Sequence, residues 1–342
     1  MVNIFDDLES SLKYEQFEID SGNIYQKFAK SLAELSLPHI SKMKRGLDLG
    51  CGTGISTSTL FDYLRNTVYI EGVDKSKPYL DIAILRFNLQ EKRNFENIFN
   101  KIEKGEYYPS IIKERCNIQD LLSYIKQQQG IYKKFKDKVA FHCKDASDLE
   151  GIENVDFVFS NQFIHWPRKK DGGSIENPNL KYEQEVLQSV KNILNKRGFF
   201  SFNTSGWDFE FSNPNMNKMH RAKHPFYTSF RKRLSSILRL EYTVADKLTF
   251  NYNKIKGIMD ENGFKIINYF ENLYSMDNNA LIESCLIGTI MEVFQKQDIN
   301  ISLEDREKGI IDSLESVLKE YDDPSSLGKI LETGAHFIVQ KI

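Results

Sequence analysis

A short apolar run that contains one acid is followed by three closely spaced glycines in residues 46–57, GLDLGCGTGIST. Glycine adopts backbone conformations that other residues avoid and lets a ligand approach the main chain closely, so such loops hold nucleotide-like cofactors. The fingerprint of dinucleotide-binding loops is G-x-G-x-x-G. Gly50 and Gly52 match it, but its third position is Ile55 and the additional glycine is Gly54. The loop predicts a nucleotide-like cofactor and departs from the dinucleotide pattern.

Asp48 adds an electrostatic constraint, because it stands two residues before Gly50 at the end of the apolar run. A pyrophosphate bound at this turn would be repelled by a carboxylate of the same sign. A ligand with an ammonium and a sulfonium group would be attracted by it. S-adenosylmethionine carries both groups, so the residues favour this cofactor over NAD. Asp48 then orients its methionine end or caps the turn.

His165 and Trp166 end the segment NQFIHW (161–166), which continues from a predicted strand. Histidine has the pKa to take a proton from a hydroxyl or an amine near neutral pH, so His165 is the candidate catalytic base. It could instead shape the pocket by packing against Trp166, because displacement at a sulfonium often needs only proximity, orientation and a dry site. Trp166 is a candidate wall of the substrate pocket.

A basic run without acids occupies residues 211–240. Its cations are Lys218, Arg221, Lys223, Arg231, Lys232, Arg233 and Arg239. The run can be a solvated helix face. Alternatively, Arg221 or Arg231 binds a carboxylate or phosphate of the substrate, because the guanidinium fork matches both groups bidentately.

Helical and strand patterns alternate along the chain, which predicts an α/β fold with a largely parallel sheet. Strands are predicted at 46–49, 67–74, 138–143, 155–161 and 198–203, with a closing pair at 263–270 and 335–342. Helices are predicted at 22–36, 55–65, 78–87, 181–196, 278–296 and 304–320, and Gly198 is expected to stop the fourth of them.

Two segments exceed a minimal α/β unit. Residues 88–137 carry apolar positions at helical spacing, which predicts a helical insertion. Residues 204–253 show little strand alternation and are expected to form a substrate lid at the carboxyl edge of the sheet, where open α/β sheets bind ligands. The chain is therefore predicted to be one domain, 1–342, with an N-terminal helical cap at 1–40.

Four segments resemble, in order, the motifs of the class I S-adenosylmethionine-dependent methyltransferases. They are LDLGCGTG (47–54), CKDASDL (143–149), VDFVFSNQFIHW (155–166) and VLQSVKNILNKRGFFSFN (186–203). The fourth segment differs from the family in the turn before its strand, where residues 195–198 replace the usual proline and double glycine. The resemblance implies a Rossmann-like, mostly parallel seven-stranded sheet with helices on both faces and S-adenosylmethionine as cofactor.

The resemblance also assigns roles to residues. Asp74, 20 residues after Gly54, would take both ribose hydroxyls. Asp145 would accept from the adenine amino group, unless Asp148 does so, and Ala146 would offer its backbone N–H. Tyr25 closes over the cofactor or packs in the core. The cofactor contacts expected in this way are Tyr25, Asp48, Gly50, Cys51, Gly52, Thr53, Gly54, Asp74, Lys75, Asp145, Ala146 and Asn161.

The function implied is methyl transfer by in-line displacement to an oxygen or nitrogen of a small, anionic molecule, as in the similar trans-aconitate and malonyl-carrier methyltransferases. One alternative is an RNA methyltransferase, because SNQFIHW also resembles the cap guanine-N7 enzymes. Another is a non-catalytic cofactor-binding protein that docks through 88–137. The net charge of −2 and the pI near 6.4 argue against a nucleic-acid partner.

Further exclusions come from composition. No run of about 18 apolar residues exists and the acidic N-terminus does not resemble a targeting peptide, so no membrane partner is expected. The four cysteines have no metal-ligand spacing, which predicts reduced thiols, a cytoplasmic protein and no metal site. The oligomeric state is not readable from the sequence.

Overall fold

Seven strands form one sheet in the computed structural model, which describes residues 8–64, 68–89, 100, 118–162, 181–205, 209–219, 225–238, 250–277, 301–321 and 330–342. In chain order they are β1 (Arg45–Leu49), β2 (Tyr69–Asp74), β3 (Val139–Cys143), β4 (Val155–Ser160), β5 (Leu194–Ser205), β6 (Phe264–Met276) and β7 (Ile330–Lys341). Their order in the sheet is β3-β2-β1-β4-β5-β7-β6.

The first five strands run parallel, and β7 runs antiparallel to its neighbours β5 and β6. This is the Rossmann-like, mostly parallel arrangement that the motifs predict, so the predicted fold class is confirmed. The strand order reverses at β1, with β2 and β3 on one side and β4 and β5 on the other. Open α/β sheets bind ligands at such a reversal, beyond the carboxyl ends of the strands.

Helices precede, connect and follow these strands. They are α1 (Leu8–Asp20), α2 (Ile24–Ile40), α3 (Ile55–Leu64), α4 (Lys77–Phe87), α5 (Ile118–Tyr132), α6 (Lys181–Ile193), α7 (Pro214–Met219), α8 (Pro225–Ile237), α9 (Tyr252–Glu261) and α10 (Leu303–Glu320). The residues described contain no helix with the length and apolar character that a membrane crossing requires.

Both faces of the sheet are covered. Helices α2 and α3 pack on one face, around the buried Phe61, and α6 and α9 pack on the other, around the buried Val186. Successive side chains of a strand point to opposite faces of its sheet. In β7, Phe337 accordingly belongs to the cluster around Val186, and Ile338 belongs to the cluster around Phe61.

A third apolar cluster lies at the carboxyl edge, where α8 and α10 pack against the α1–α2 region and the end of β6. We call this pair of helices the α8–α10 layer. It buries Phe226 and Phe230 against Phe28 and Tyr274. Helix α8 belongs to the predicted lid segment 204–253, and the Phe209–Phe250 bridge lies in the same segment. Its assignment as a lid stays a prediction.

Several predicted boundaries are wrong. The helix predicted at 181–196 ends at Ile193, because Leu194 already pairs with Val155 of β4. Arg197 has φ 64°, outside the helical range. The first predicted helix continues to Ile40, and the closing strands are longer than predicted because their pairing continues to Met276–Ile330.

The predicted insertion 88–137 is described in part. Helix α5 and a 3₁₀ segment at Lys133–Lys138 follow each other, and α5 buries Leu121, Leu122 and Ile125. Phe95, Ile98, Phe99 and Ile102, whose helical spacing also supports this prediction, and the helix predicted at 278–296 lie outside the described residues. The division of the chain into cap, insertion and lid stays a prediction.

Candidate functional site

The glycine loop joins β1 to α3 and needs its glycines for conformation and space. Gly50, Gly52 and Gly54 have φ angles of 69°, 52° and 83°, a region that favours glycine. The backbone N–H of Gly50 donates to the Val73 carbonyl at 2.8 Å, which fixes the loop on β2. A Cβ on Gly54 would lie 3.1 Å from the Ala83 Cβ of α4. The loop is therefore closely packed against β2 and α4.

Asp74 ends β2 and is built into this loop. Its Oδ2 accepts from the Gly52 N–H at 3.0 Å, and its Oδ1 accepts from the Ser76 N–H at 2.8 Å. Burial raises the pKa of the carboxyl, while the two backbone hydrogen bonds act in the opposite direction. Because each carboxylate oxygen carries two acceptor sites, Asp74 can still accept from a pair of ribose hydroxyls.

Asp48 lies beside it at the end of β1 and is fully buried. Ser56 Oγ and Thr57 Oγ1 donate to its Oδ2 at 2.7 and 2.5 Å, so it holds the first turn of α3. Its Oδ1 has no hydrogen-bond partner. Burial raises the pKa of Asp48 to about 6, against the effect of its two hydroxyl donors and with the help of the nearby Asp74. Such a group favours a cation over an anion.

Asp145 follows β3 and is held by its neighbours. Its Oδ1 accepts from the backbone and side chain of Ser147, at 3.1 and 2.9 Å, and from the hydroxyl of Tyr182 on α6. The alternative acid, Asp148, is exposed, and Ala146 is buried. No local pattern identifies Tyr182 as a site residue, because only the fold brings it to Asp145, 37 positions away.

The side chains of three expected contact residues, Cys51, Thr53 and Lys75, are buried in the fold or exposed to solvent. Cys51 packs against β2, with its sulfur 3.0 Å from the position of a Cβ on Gly72. Burial raises the pKa of its thiol well above the usual value, so it is no nucleophile. Thr53 is fully buried, and Lys75 is exposed. The hydroxyl of Thr53 has no hydrogen-bond partner, and its contact with the cofactor, like those of Cys51 and Lys75, stays a prediction.

Aromatic rings cover the loop from the N-terminal side. Tyr14 of α1 stacks on Tyr25 of α2, with ring centroids 4.5 Å apart, and meets Tyr79 edge-on at 5.6 Å. Tyr79 in turn lies 3.6 Å from the position of a Cβ on Gly52. The row of rings therefore extends from the glycine loop to Tyr25, where the sequence predicts a cover.

A network of amides joins this cover to the ends of β4 and β5. Asn161 Nδ2 donates to the Tyr25 carbonyl at 3.1 Å, and Asn203 Nδ2 donates to Asn161 Oδ1 at 2.8 Å. The Gln162 N–H donates to Asn203 Oδ1 at 2.7 Å. Gln162 has φ 58°, an uncommon value outside glycine, which the network stabilises.

His336 continues the same polar strip, because it pairs with Asn203 in the β5–β7 register. Its Nε2 lies 2.6 Å from the hydroxyl of Tyr274, and its Nδ1 is buried without a hydrogen-bond partner. Burial lowers the pKa of His336 to about 3, so the imidazole is neutral. Sequence motifs do not identify this pair, because none of the four motif segments includes β6 or β7.

The candidate substrate residues are described only in part. His165, Trp166 and Arg221 lie outside the described residues. Arg231 lies on α8, and its guanidinium carbon is 5.2 Å from the ring centroid of Tyr227. Tyr227 belongs to the apolar cluster that the α8–α10 layer forms with the α1–α2 region. Arg231 thus lies on the helical layer beside the N-terminal cover.

Buried acids outnumber buried bases around the loop. Glu18 is fully buried and accepts the Tyr25 and Gln26 N–H groups at 2.8 Å each, and burial raises its pKa to about 7. With Asp48 and Asp74 it makes the region acidic. Within the described ranges, no group of three or more histidine, cysteine and acidic side chains could hold a metal ion.

No family profile and no curated protein sequence matches the chain. Among solved structures, YjhP from E. coli is 12% identical, with a TM-score of 0.47 over 98% of this chain and 100% of that chain. YcgJ from Bacillus subtilis is 13% identical, with a TM-score of 0.42 over 91% and 96%.

Phosphoethanolamine N-methyltransferase 2 from Haemonchus contortus, solved with phosphomonomethylethanolamine and S-adenosylhomocysteine, is 14% identical, with a TM-score of 0.45. The match covers 100% of this chain and 60% of that enzyme. Identities this low and TM-scores below 0.5 leave the function of this chain to be inferred from its own residues.

Proposed function

We propose that this protein is an S-adenosylmethionine-dependent methyltransferase. The observation that carries the proposal is the pair of acids at the loop: Asp74, fixed by the Gly52 and Ser76 N–H groups, and the buried Asp48 with one unpartnered oxygen. A dinucleotide would place a pyrophosphate beside this second acid, which like charge disfavours. A sulfonium cofactor would supply a positive counter-charge to the buried carboxylate of Asp48.

The residues fit this cofactor along its whole length. Asp74 would take the ribose hydroxyls, and Asp145, oriented by Tyr182, would accept from the adenine amino group beside the Ala146 N–H. The methionine end would extend towards Asp48 and Asn161. When bound, the cofactor supplies an electrophilic methyl group, and the chain's own contribution is to orient it and keep water out under the ring of Tyr25.

The acceptor in this proposal is a small molecule with a carboxylate or phosphate, methylated on oxygen or nitrogen. The basic run 211–240 and the position of Arg231 beside the N-terminal cover support it. The polar strip of Asn161, Asn203 and His336 offers hydrogen bonds on the same edge of the sheet. His165 stays the candidate base and Trp166 a candidate pocket wall. A cytoplasmic location belongs to the same proposal.

Calorimetric titration tests the cofactor. S-adenosylhomocysteine should bind the wild type with micromolar affinity, NAD should not bind, and Asp74→Ala should lose S-adenosylhomocysteine binding. Asp137→Ala, which removes an exposed acid, is the matched control and should bind as the wild type does. Absence of binding to folded wild-type protein, or equal binding of NAD, would refute the proposal.

Radioactive methyl transfer to a panel of carboxylates, phosphates and amines tests the acceptor class. Anionic acceptors should be methylated, and Arg231→Gln should raise their KM without changing S-adenosylhomocysteine affinity. Lys232→Gln, at the exposed neighbouring position of α8, is the control. A preference for neutral or cationic acceptors would refute the anionic assignment and leave the cofactor assignment intact.

A further inference from the structure

Arg86 of α4 is a buried cation with partners on three separate parts of the chain. Its Nη2 donates to both carboxylate oxygens of Glu15 on α1, each at 2.8 Å. Its Nε donates to the Thr53 carbonyl in the glycine loop at 3.0 Å, and its Nη1 donates to Gln128 Oε1 on α5 at 2.8 Å. Arg86 is 2% exposed and Glu15 is fully buried.

These contacts exceed what a structural ion pair needs. Lysine has one charged nitrogen and could not hold a carboxylate, a loop carbonyl and an amide in three directions, whereas the planar guanidinium can. The Thr53 carbonyl is one of its partners, so the position of Arg86 and the shape of the glycine loop depend on each other. Helix α1 therefore connects, through Glu15 and one guanidinium, to the loop that would hold the cofactor.

Helix α1 also supplies the outer ring of the cover. Tyr14 lies between Tyr25 and Tyr79, one residue before Glu15. Asp48 and Thr53 are fully buried in this structure. Helix α1 thus lies beside Tyr79 through Tyr14 and is joined to the glycine loop through the Glu15–Arg86 pair.

The turn between α1 and α2 fixes the end of α1 that lies next to α2. Gly22 and Asn23 both have positive φ angles, 68° and 63°. Glu18 binds the Tyr25 and Gln26 N–H groups next to this turn, which anchors the last part of α1 to the start of α2. Because Glu18 braces this turn, release of the Glu15–Arg86 pair would free the part of α1 that precedes Glu18, with Tyr14 and Glu15, and leave α2 on the sheet.

We propose that Arg86 and Glu15 are positioning residues for the cofactor: the pair latches α1 over the glycine loop and sets how long the cofactor stays bound. The role rests on the proposed cofactor. The pair touches neither the methyl donor nor the acceptor, and it acts through the Thr53 carbonyl and the Tyr14 ring. The substrate-binding residues of the α8–α10 layer are not part of it.

The test measures the dissociation rate of S-adenosylhomocysteine by displacement with excess unlabelled ligand. Glu15→Gln and Arg86→Lys should each raise this rate by about tenfold or more, because the first leaves the buried Arg86 without its counter-charge and the second loses hydrogen bonds of the guanidinium to Glu15, Thr53 or Gln128. Asp81→Asn is the matched control, since it breaks the exposed Lys77–Asp81 pair on the same helix. Its dissociation rate should equal that of the wild type.

Hydrogen exchange of the wild type, with and without S-adenosylhomocysteine, tests the latch without any variant and so does not depend on whether the variants fold. S-adenosylhomocysteine should slow exchange in α1, and α9 on the opposite face should not change. Lower melting temperatures of the variants with unchanged dissociation rates, or no protection of α1, would overturn the latch. Binding to the wild type would then leave the methyltransferase proposal standing, whereas no binding to the wild type would overturn both.

Discussion

Replacing Asp48 with asparagine isolates the cost of a buried charge at the cofactor loop. Asparagine has nearly the same shape, and its carbonyl oxygen can still accept from Ser56 and Thr57. Its amide takes the place of the oxygen that has no partner. The variant therefore removes the negative charge and changes little of the packing.

The magnitude follows from the pKa of Asp48, which burial raises from 3.8 to about 6. One unit corresponds to ~1.4 kcal/mol, so ionising Asp48 in the folded protein costs about 3 kcal/mol. Between these two pKa values the folded wild type keeps a proton that the unfolded chain has released. Its free energy of unfolding therefore falls as pH rises through this range, and above it the full cost remains.

Denaturant unfolding without cofactor, repeated from about pH 4 to about pH 8, measures this difference. Asp48→Asn should match the wild type at the acidic end and be more stable by about 3 kcal/mol at the basic end, or roughly 5 °C in Tm. The exposed control Asp137→Asn should stay within ~0.5 kcal/mol throughout. A difference independent of pH would refute the electrostatic reasoning.

The remaining predictions concern the loop, the adenine contact and the cofactor charge. Gly54→Ala should lower the free energy of unfolding by ~2 kcal/mol or more, because Gly54 has φ 83° and its Cβ would contact Ala83. Gly257→Ala in α9, where the added methyl group meets open space, should raise it by ~0.5–1 kcal/mol. Thermal unfolding measures both. Tyr182→Phe should weaken the binding of S-adenosylhomocysteine several-fold, which corresponds to ~1 kcal/mol in calorimetry. It should leave S-inosylhomocysteine, which lacks the adenine amino group, unaffected. The affinity ratio of S-adenosylmethionine to S-adenosylhomocysteine should fall as pH drops through about 6, where Asp48 takes up a proton; a constant ratio would contradict it.

Local signals predicted the elements that carry the glycine loop. A buried strand followed by glycines needs only neighbours in sequence, so β1, β2 and the acids that end them were located correctly. The end of α6 was wrong because pairing of Leu194 with Val155 decides it, and that pairing is not a local property. Backbone strain at Gln162 likewise depends on Asn203, on another strand.

The contacts that organise the site could not be predicted from the sequence, because they also join residues far apart in the chain. Arg86 and Glu15 are 71 positions apart, and Tyr182 and Asp145 are 37 apart. Nothing in their local sequence distinguishes them from surface residues, since an isolated charge or tyrosine is usually solvated. Only packing of α1 on α4 and of α6 beside β3 makes them partners. Motifs therefore specify the glycine loop, and the fold specifies the contacts that surround it.

In the proposed mechanism the acidic loop and the latch together favour release of the product over release of the methyl donor. In the proposed reaction methyl transfer converts the positive sulfonium into a neutral thioether, so one of the two cationic groups that offset the charge of Asp48 is lost, while the ammonium stays. The closed state then again contains a buried carboxylate with an unpartnered oxygen, and its stability falls relative to a state in which water reaches that group. If both proposals hold, we expect opening of α1 to be less favourable with the donor bound than with the product bound. Neutralising Asp48 should remove this asymmetry, so that donor and product dissociate at similar rates from Asp48→Asn.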